Sequence, residues 1–179
     1  MKWVLAGAGV IVVLAAAVVV LGMLLPRDHV VARAARIAAP PDSVWRLLTT
    51  PTEFPAWRTD VTGIEILPAG KYLAMWREQS RHGAIAMAIE AQEPPRRLVT
   101  RIADPTLPFG GSWEFDVAAD GADASRVTIT ERGSVYNPIF RVVSRYVMGH
   151  TATIDGYLRA LGQRYGQDVV LTSVGTNAR

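Results

Sequence analysis

The hydrophobic pattern of the chain divides it into two unlike parts. Residues 3–25 form an apolar run with no charged side chain, and Lys2 and Arg27 stand at its two ends. About 20 apolar residues in a helix match the ~30 Å hydrocarbon core of a bilayer, where a helix also satisfies its own backbone hydrogen bonds. The pattern therefore predicts an N-terminal transmembrane anchor over residues 1–28.

A cleaved signal peptide is the alternative interpretation of this run. The apolar core of a signal peptide is typically about 7–15 residues long. The run is longer than that, and the nearest Ala-x-Ala sequence, at 32–34, lies beyond the predicted membrane edge. Basic residues near both ends leave the membrane side of the remaining chain undetermined. We therefore expect a single-pass membrane protein that retains its anchor.

Beyond residue 61 the pattern changes to short segments in which apolar and polar positions alternate. Ile85, Met87 and Ile89 alternate with alanines, and Trp113 and Phe115 alternate with acidic residues. Such alternation between turn residues predicts strands with one apolar face, and an antiparallel sheet of this kind needs a cover. The predicted strands are 62–67, 71–78, 84–91, 98–103, 112–118 and 125–132, preceded by one at 29–37 and two short helices at 42–49 and 50–57.

The cover is predicted at the C-terminal end. Asn137 followed by Pro138 is a typical helix start. A stripe with helical spacing follows for about five turns, which predicts one long helix. Its positions are Val143, Val147, His150, Ile154, Tyr157 and Leu161. The sequence thus predicts an α+β domain over 29–167 and a disordered tail over 168–179.

Composition excludes several kinds of site. Nineteen basic and sixteen acidic residues give a net charge of +3, without the basic cluster that nucleic-acid binding requires. The chain has no cysteine, and its three histidines lie far apart in sequence, so no metal site is expected. No phosphate-binding loop, nucleophile elbow or catalytic triad is present, and no cofactor is expected. The oligomeric state is left open.

Five segments resemble the SRPBCC superfamily, which includes START lipid-transfer domains, birch-pollen-allergen-like proteins and polyketide cyclase/dehydratase-like proteins. They are 37–45 (IAAPPDSVW), 54–57 (FPAW), 94–99 (PPRRLV), 111–115 (GSWEF) and 127–131 (VTITE). The resemblance covers about residues 30–166. It implies a helix-grip fold, in which a curved antiparallel sheet surrounds a long C-terminal helix. It also implies an apolar cavity between sheet and helix that binds hydrophobic molecules.

Two residues are candidates for acid–base chemistry in that cavity. His150 interrupts the apolar stripe of the predicted helix and would point at the sheet. The alternative is a core histidine bonded to a backbone carbonyl or a buried carboxylate. Glu131 has the strand parity of Val127 and Ile129, so it would face inward; the alternative is that the strand has ended and Glu131 is in solvent.

Large side chains are candidates for the cavity wall, with core packing as the alternative. The predicted ligand-binding residues are Trp57, Trp76, Met87, Phe109, Trp113, Tyr146 and His150. Phe109 lies in a predicted loop, 104–111, that would suit a lid.

These features predict two alternative functions and leave a third possible. The sequence favours a membrane-anchored protein that binds a hydrophobic small molecule or lipid, tethered through residues 3–25. The alternative is a polyketide cyclase/dehydratase-like enzyme that uses His150 or Glu131 as acid or base. The third possibility is a structural or partner-binding role with a filled cavity.

Overall fold

The computed structural model describes residues 2–81, 83–149 and 151–175, with the side chains of residues 2–8 and of Met148 outside the description. Helix α1 (Lys2–Leu24) comes first. Within the described part of the chain, no helix is both long enough and apolar enough to cross a membrane. The transmembrane anchor remains a prediction.

An antiparallel sheet of eight strands follows α1, in the spatial order β2-β3-β4-β5-β6-β7-β1-β8. Its strands are β1 (Asp28–Ile37), β2 (Gly63–Leu67), β3 (Ala74–Ser80), β4 (Gly83–Glu93), β5 (Arg97–Ile102), β6 (Phe109–Ala119), β7 (Ser125–Val135) and β8 (Thr172–Ser173). Strands β2 to β7 form the predicted meander, and β1 pairs with β7. The antiparallel sheet is therefore confirmed.

The core lies between one face of this sheet, here called the inner face, and the helices. Helix α2 (Pro41–Thr49) buries Val44, Leu47 and Leu48, whose i, i+3, i+4 spacing predicts that face. A 3₁₀ helix (Pro51–Ala56) follows and buries Phe54. The C-terminal helix contributes Ile154, Leu158 and Leu161, which are fully buried. Alternation along each strand supplies the matching apolar positions.

The prediction of one long C-terminal helix is wrong. The segment consists of α3 (Pro138–Val143), a π-helical turn (Ser144–Met148) and α4 (Ala152–Arg164). Gly149 separates them with a φ of 74°, a conformation that glycine adopts without steric cost. Val147, which the continuous stripe places inward, is 77% exposed. The predicted helix start is confirmed, because Asn137 Oδ1 accepts the backbone N–H of Ile139 at 2.9 Å.

Two smaller segments also differ from the sequence pattern. The predicted loop 104–111 is shorter, because residues 109–111 already pair with β7. In the tail, β8 pairs with β1 at Arg33 and Ala34. Residues 176–179 lie outside the description.

Candidate ligand-binding site

The length of α4 divides the inner face of the sheet into two halves. Helix α4 has 13 residues and β6 and β7 have 11 residues each, so the helix is about 20 Å long and the strands about 36 Å. Beyond Ile129 and Phe115, which are buried beneath the helices, burial falls. Beyond them Thr100 and Val135 stay buried, but several other inward positions are half-buried. We call five of these half-buried residues the open half: His29, Met87, Ile102, Trp113 and Glu131.

A histidine and a carboxylate lie together in the open half. His29 Nε2 is 3.2 Å from Glu131 Oε1, and the two side chains are 17% and 18% exposed. The other carboxylate oxygen, Oε2, accepts the indole N–H of Trp113 at 2.9 Å. Glu131 is therefore oriented from both sides while it still contacts solvent. An imidazole beside a carboxylate in this arrangement can bind a polar ligand group or exchange protons with it.

The backbone makes room for this pair at Gly133. Gly133 lies opposite His29 on β1 and opposite Gly111 on β6. A Cβ atom added at Gly133 would overlap the imidazole ring and would lie 3.1 Å from Glu131 Oε1. The imidazole thus crosses the sheet above a residue that has no side chain. Glycine at this position is a condition for the contact.

Aromatic rings pack around Tyr157 in the other half of the inner face, which α4 covers and which we call the covered half. The Tyr157 ring centroid lies 5.3 Å from that of Trp57, 5.6 Å from that of Trp113 and 5.5 Å from that of Phe115. The Trp57 and Trp113 contacts are edge-to-face, the arrangement that aromatic quadrupoles favour. Trp113 therefore belongs to both halves, because its ring packs on the covered cluster and its N–H serves the open half.

A half-buried charge network lies on the opposite side of this cluster. The Arg58 guanidinium lies 5.0 Å from the Tyr157 ring centroid and donates to Glu78 at 3.1 Å and to Asp60 at 2.7 Å. Trp76 donates its indole N–H to the same Glu78 oxygen at 3.0 Å. Burial alone lowers the pKa of Arg58, but attraction by Glu78 and the hydrogen bond to Asp60 outweigh it and raise that pKa. Arg58 is therefore a permanent cation in the domain interior.

Burial also raises the pKa of Tyr157, and the positive charge of Arg58 opposes only part of that shift. The hydroxyl is therefore neutral at physiological pH. A neutral phenol keeps its proton and can donate a hydrogen bond.

Trp57 carries an unsatisfied polar atom in the same cluster. Its indole Nε1 is buried and has no hydrogen-bond partner among the described residues. A buried donor without an acceptor costs about 1–3 kcal/mol. A molecule with an acceptor that reached this atom would recover that free energy.

The start of α4 is held by β1. Arg33 Nε forms an ion pair with Asp155 Oδ1, in the first turn of α4, at 3.0 Å, and Arg33 Nη2 donates a hydrogen bond to Thr151 Oγ1 at 3.4 Å. A carboxylate in the first turn of a helix is favoured by the helix dipole. These contacts fix the start of α4 beside Arg33, which is where the covered half ends and the open half begins.

The structure brings some of the predicted site residues together and separates others. Trp113 and Glu131 are in contact, Met87 joins them in the open half, and Phe109 is half-buried at the start of β6. Trp57 and Trp76 are buried in the covered half. Tyr146 is 63% exposed on the π-helical turn. His150 lies outside the described residues.

Sequence reasoning missed His29 and Arg58. Strand parity was a usable signal for His29, because it shares the parity of Ala35 and Ile37 on β1. No comparable signal exists for Arg58, which lies in an irregular turn between the 3₁₀ helix and β2.

Two surface concavities lie outside this region. One, of about 310 Å³, is lined by Glu93, Arg96, Arg97, Asp116, Val117 and Ala118, and the other, of about 410 Å³, by Lys71, Tyr72, Glu90 and Arg101. Their charged linings do not suit an apolar ligand. Among the described residues, no group of three or more His, Asp or Glu is placed to hold a metal ion.

A family described as polyketide cyclase/dehydrase and lipid transport matches residues 28–163. The chain belongs to this family. The match runs from the first residue of β1 almost to the end of α4, so it includes both halves of the inner face. A comparison with curated protein sequences finds no match.

Solved structures share the fold at low sequence identity. A START superfamily protein from Mycobacterium smegmatis is 16% identical with a TM-score of 0.61, covering 76% of this chain and 96% of its own. Norcoclaurine synthase from Thalictrum flavum is 12% identical with a TM-score of 0.62, covering 78% and 94%. A protein from Thermobifida fusca is 21% identical with a TM-score of 0.58, covering 76% and 93%. At these identities the likeness shows the helix-grip fold alone.

Proposed function

We propose that the protein binds a hydrophobic small molecule or lipid on the open half of the inner face. The observation that carries this proposal is the early boundary of α4 at Ala152, which leaves Met87, Ile102 and Trp113 partly accessible on an otherwise buried apolar surface. Ligand-binding sites usually combine apolar surface with a few oriented polar groups. The ligand class is a mostly apolar molecule with one hydrogen-bonding group, which His29 and Glu131 would orient.

The second part of the proposal is a membrane tether over residues 3–25. Its support is the uncharged apolar sequence, which forms helix α1, and the short connection from Leu24 to β1 at Asp28. A linker of three residues holds the domain within roughly 10–15 Å of the helix end. A ligand dissolved in the bilayer would then be close to the open half.

Native mass spectrometry of the full-length, detergent-released protein tests ligand binding. We expect co-purified apolar ligands, and we expect Met87→Asp and Ile102→Asp to reduce their occupancy strongly, because each places a charge on the apolar surface. Leu73→Asp is the matched control, since Leu73 is 58% exposed and lies before β3. Ligand-free protein in repeated preparations, or equal occupancy in all variants, would contradict the proposal.

Alkaline carbonate extraction of membranes tests the tether. We expect the full-length chain to stay in the membrane pellet with its N-terminus intact by mass. Recovery in the soluble fraction with residues 1–28 missing would instead identify a cleaved signal peptide.

A second candidate function is a cyclase/dehydratase-like reaction, favoured by the contact between His29 and Glu131. Elimination of water needs a base that removes a C–H proton and an acid that protonates the leaving hydroxyl. The Glu131 carboxylate would accept the first proton and a protonated His29 would supply the second. A proton transfer from Glu131 to His29 across their 3.2 Å contact would then restore both groups. His150 stays a further candidate.

Product analysis separates this candidate from simple binding. Full-length protein incubated with an apolar β-hydroxyketone should release water and the α,β-unsaturated ketone, and Glu131→Gln should still bind the substrate but yield no such product. Unchanged substrate with the unsubstituted protein would leave binding as the function.

A further inference from the structure

The exposed apolar residues of the domain include a cluster on α3 and the π-helical turn. Ile139 and Phe140 are 49% and 48% exposed, and Tyr146 and Val147 are 63% and 77% exposed. We call these four residues the α3 patch. Large apolar side chains grouped on a surface mark a contact with a partner or a membrane.

The α3 patch is physically joined to the end of α1. A Cβ atom added at Gly22 would overlap the carbonyl group of Pro138, so the two helix backbones are in direct contact. Arg141 donates to the Gly22 carbonyl at 3.2 Å and to the Val135 carbonyl at 2.8 Å. One guanidinium thus ties the last turn of α1 to the end of β7. Helix α3 cannot leave the level of that turn without breaking these contacts.

The segment that carries the patch has only basic charges in its sequence, although Asp28 lies nearby on β1, where it accepts a hydrogen bond from Ser134. From 132 to 154 the sequence has three arginines, Arg132, Arg141 and Arg145, and no acidic residue. Arg145 is exposed between the two apolar pairs of the patch. Arg27 lies over the Tyr136 ring at 4.5 Å, beside the same helix end. Basic side chains among aromatic and aliphatic ones suit the anionic headgroup region of a bilayer.

We propose that the α3 patch is a second membrane-contact element, which lies in the headgroup region of the bilayer that α1 enters. This inference rests on the proposed insertion of residues 3–25, because contact with Gly22 sets the depth of α3. It adds an orientation that a tether alone does not give. With α1 and α3 both at the membrane surface, β1 starts there too, so the end of the sheet that carries His29 and Glu131 faces the lipid.

Single-cysteine spin labelling of the full chain tests this orientation, since the chain has no cysteine of its own. The probes are Leu14→Cys in α1, Phe140→Cys in the patch and Asp123→Cys in the exposed turn between β6 and β7. Each labelled protein is reconstituted in vesicles of phosphatidylcholine and phosphatidylglycerol. Collision rates with oxygen, which concentrates in lipid, and with a water-soluble nickel chelate report the depth of the label.

We expect the Leu14 site to be accessible to oxygen alone, the Phe140 site to show headgroup depth, and the Asp123 site to be fully aqueous. In an Ile139→Ser background the Phe140 label should shift toward water. Leu73→Ser, which removes an equally exposed side chain elsewhere, should leave it unchanged.

Two outcomes would overturn the inference, and they are distinguishable. An aqueous Phe140 site with a lipid-accessible Leu14 site would refute the α3 patch and leave the tether standing. Aqueous labels at both sites would refute the tether and the inference together.

Discussion

The imidazole of His29 lies 3.2 Å from the carboxylate of Glu131, although 102 residues separate them in sequence. The contact exists because β7 pairs with β1. Glu131 therefore lies opposite Val31, and Gly133 lies opposite His29. The pair occupies the part of the inner face that α4 leaves uncovered. The pair lies beside an apolar surface, so it supplies the polar and titratable groups of the candidate site.

Replacing Gly133 should separate this pair. In Gly133→Ala the new methyl group overlaps the His29 ring, so the ring must move, and we expect a loss of about 1–3 kcal/mol in the free energy of unfolding. Ligand occupancy should fall as well. Denaturant unfolding and native mass spectrometry measure the two effects.

Gly156→Ala is the control for that substitution. An added Cβ at Gly156 has no neighbour within 4 Å, and the residue lies inside α4. This variant should gain about 0.5–1 kcal/mol, because alanine loses less backbone entropy in a helix. Equal stability of the two variants would contradict the proposed packing of His29.

Removing the charge of Arg58 should destabilise the domain. Arg58→Met leaves the half-buried Glu78 without its cation, and loss of a hydrogen bond to a charged group costs about 1.5–3 kcal/mol. The double variant Arg58→Met, Glu78→Gln should recover most of that loss, since the Gln amide oxygen can still accept the Trp76 N–H. Thermal and denaturant unfolding give the comparison. A double variant as unstable as the single one would show that Arg58 acts through its ring contacts instead.

Stability should fall at alkaline pH because of Tyr157. Burial raises the pKa of Tyr157 in the folded protein, whereas an unfolded tyrosine ionises near pH 10. Above that pH the unfolded state binds fewer protons than the folded state, so the free energy of unfolding decreases as pH rises. Tyr157→Phe should remove this part of the pH dependence. Tyr146→Phe, which removes an exposed hydroxyl, should keep it. Urea unfolding at a series of pH values above 9 tests both.

The break at Gly149 should control access to the open half. In Gly149→Ala a residue with a φ of 74° and a ψ of 146° acquires a side chain, which costs about 1–3 kcal/mol in that conformation and favours extension of α4 toward α3. Quenching of Trp113 fluorescence by acrylamide should then decrease, measured with the other tryptophans replaced by Phe.

Gly166→Ala is the matched control for this strain. Gly166 has a φ of 69° and, like Gly149, has open space around an added Cβ. It should also lose stability, but with no change in quenching. A decrease in both variants would mean that quenching of Trp113 does not depend on the break at Gly149, which would contradict closure of the open half.

The contact between α1 and α3 should depend on Gly22. Gly22→Ala forces the helix away from Pro138, whereas Gly9→Ala meets no atom within 4 Å. We therefore expect faster proteolysis near residues 25–28 in Gly22→Ala alone, assayed with the full chain in vesicles. Identical cleavage rates would show that the two helices do not hold each other.

Local patterning accounts for much of the fold. The alternation of Ile85, Met87 and Ile89, and the spacing of Val44, Leu47 and Leu48, decide which face of each element is apolar, because side-chain direction follows directly from strand and helix periodicity. Turn residues between those segments then produce the meander.

Helix termination was less visible in the sequence. The apolar stripe from Val143 to Leu161 has helical spacing on both sides of Gly149, and spacing alone does not reveal a residue with positive φ. The contact of Arg141 with Gly22 ties α3 to the end of α1, and it joins residues that are 119 positions apart in sequence.

By itself, the sequence determined the strands, the inward parity of Glu131 and Trp113, and an apolar N-terminal run, because each depends on neighbours a few positions away. Only the tertiary structure decided that His29 contacts Glu131, that Arg58 lies half-buried beside Tyr157, and that α4 leaves half of the inner face open. These features require strand order and helix placement, which arise from the packing of distant segments and leave no periodic trace in the chain.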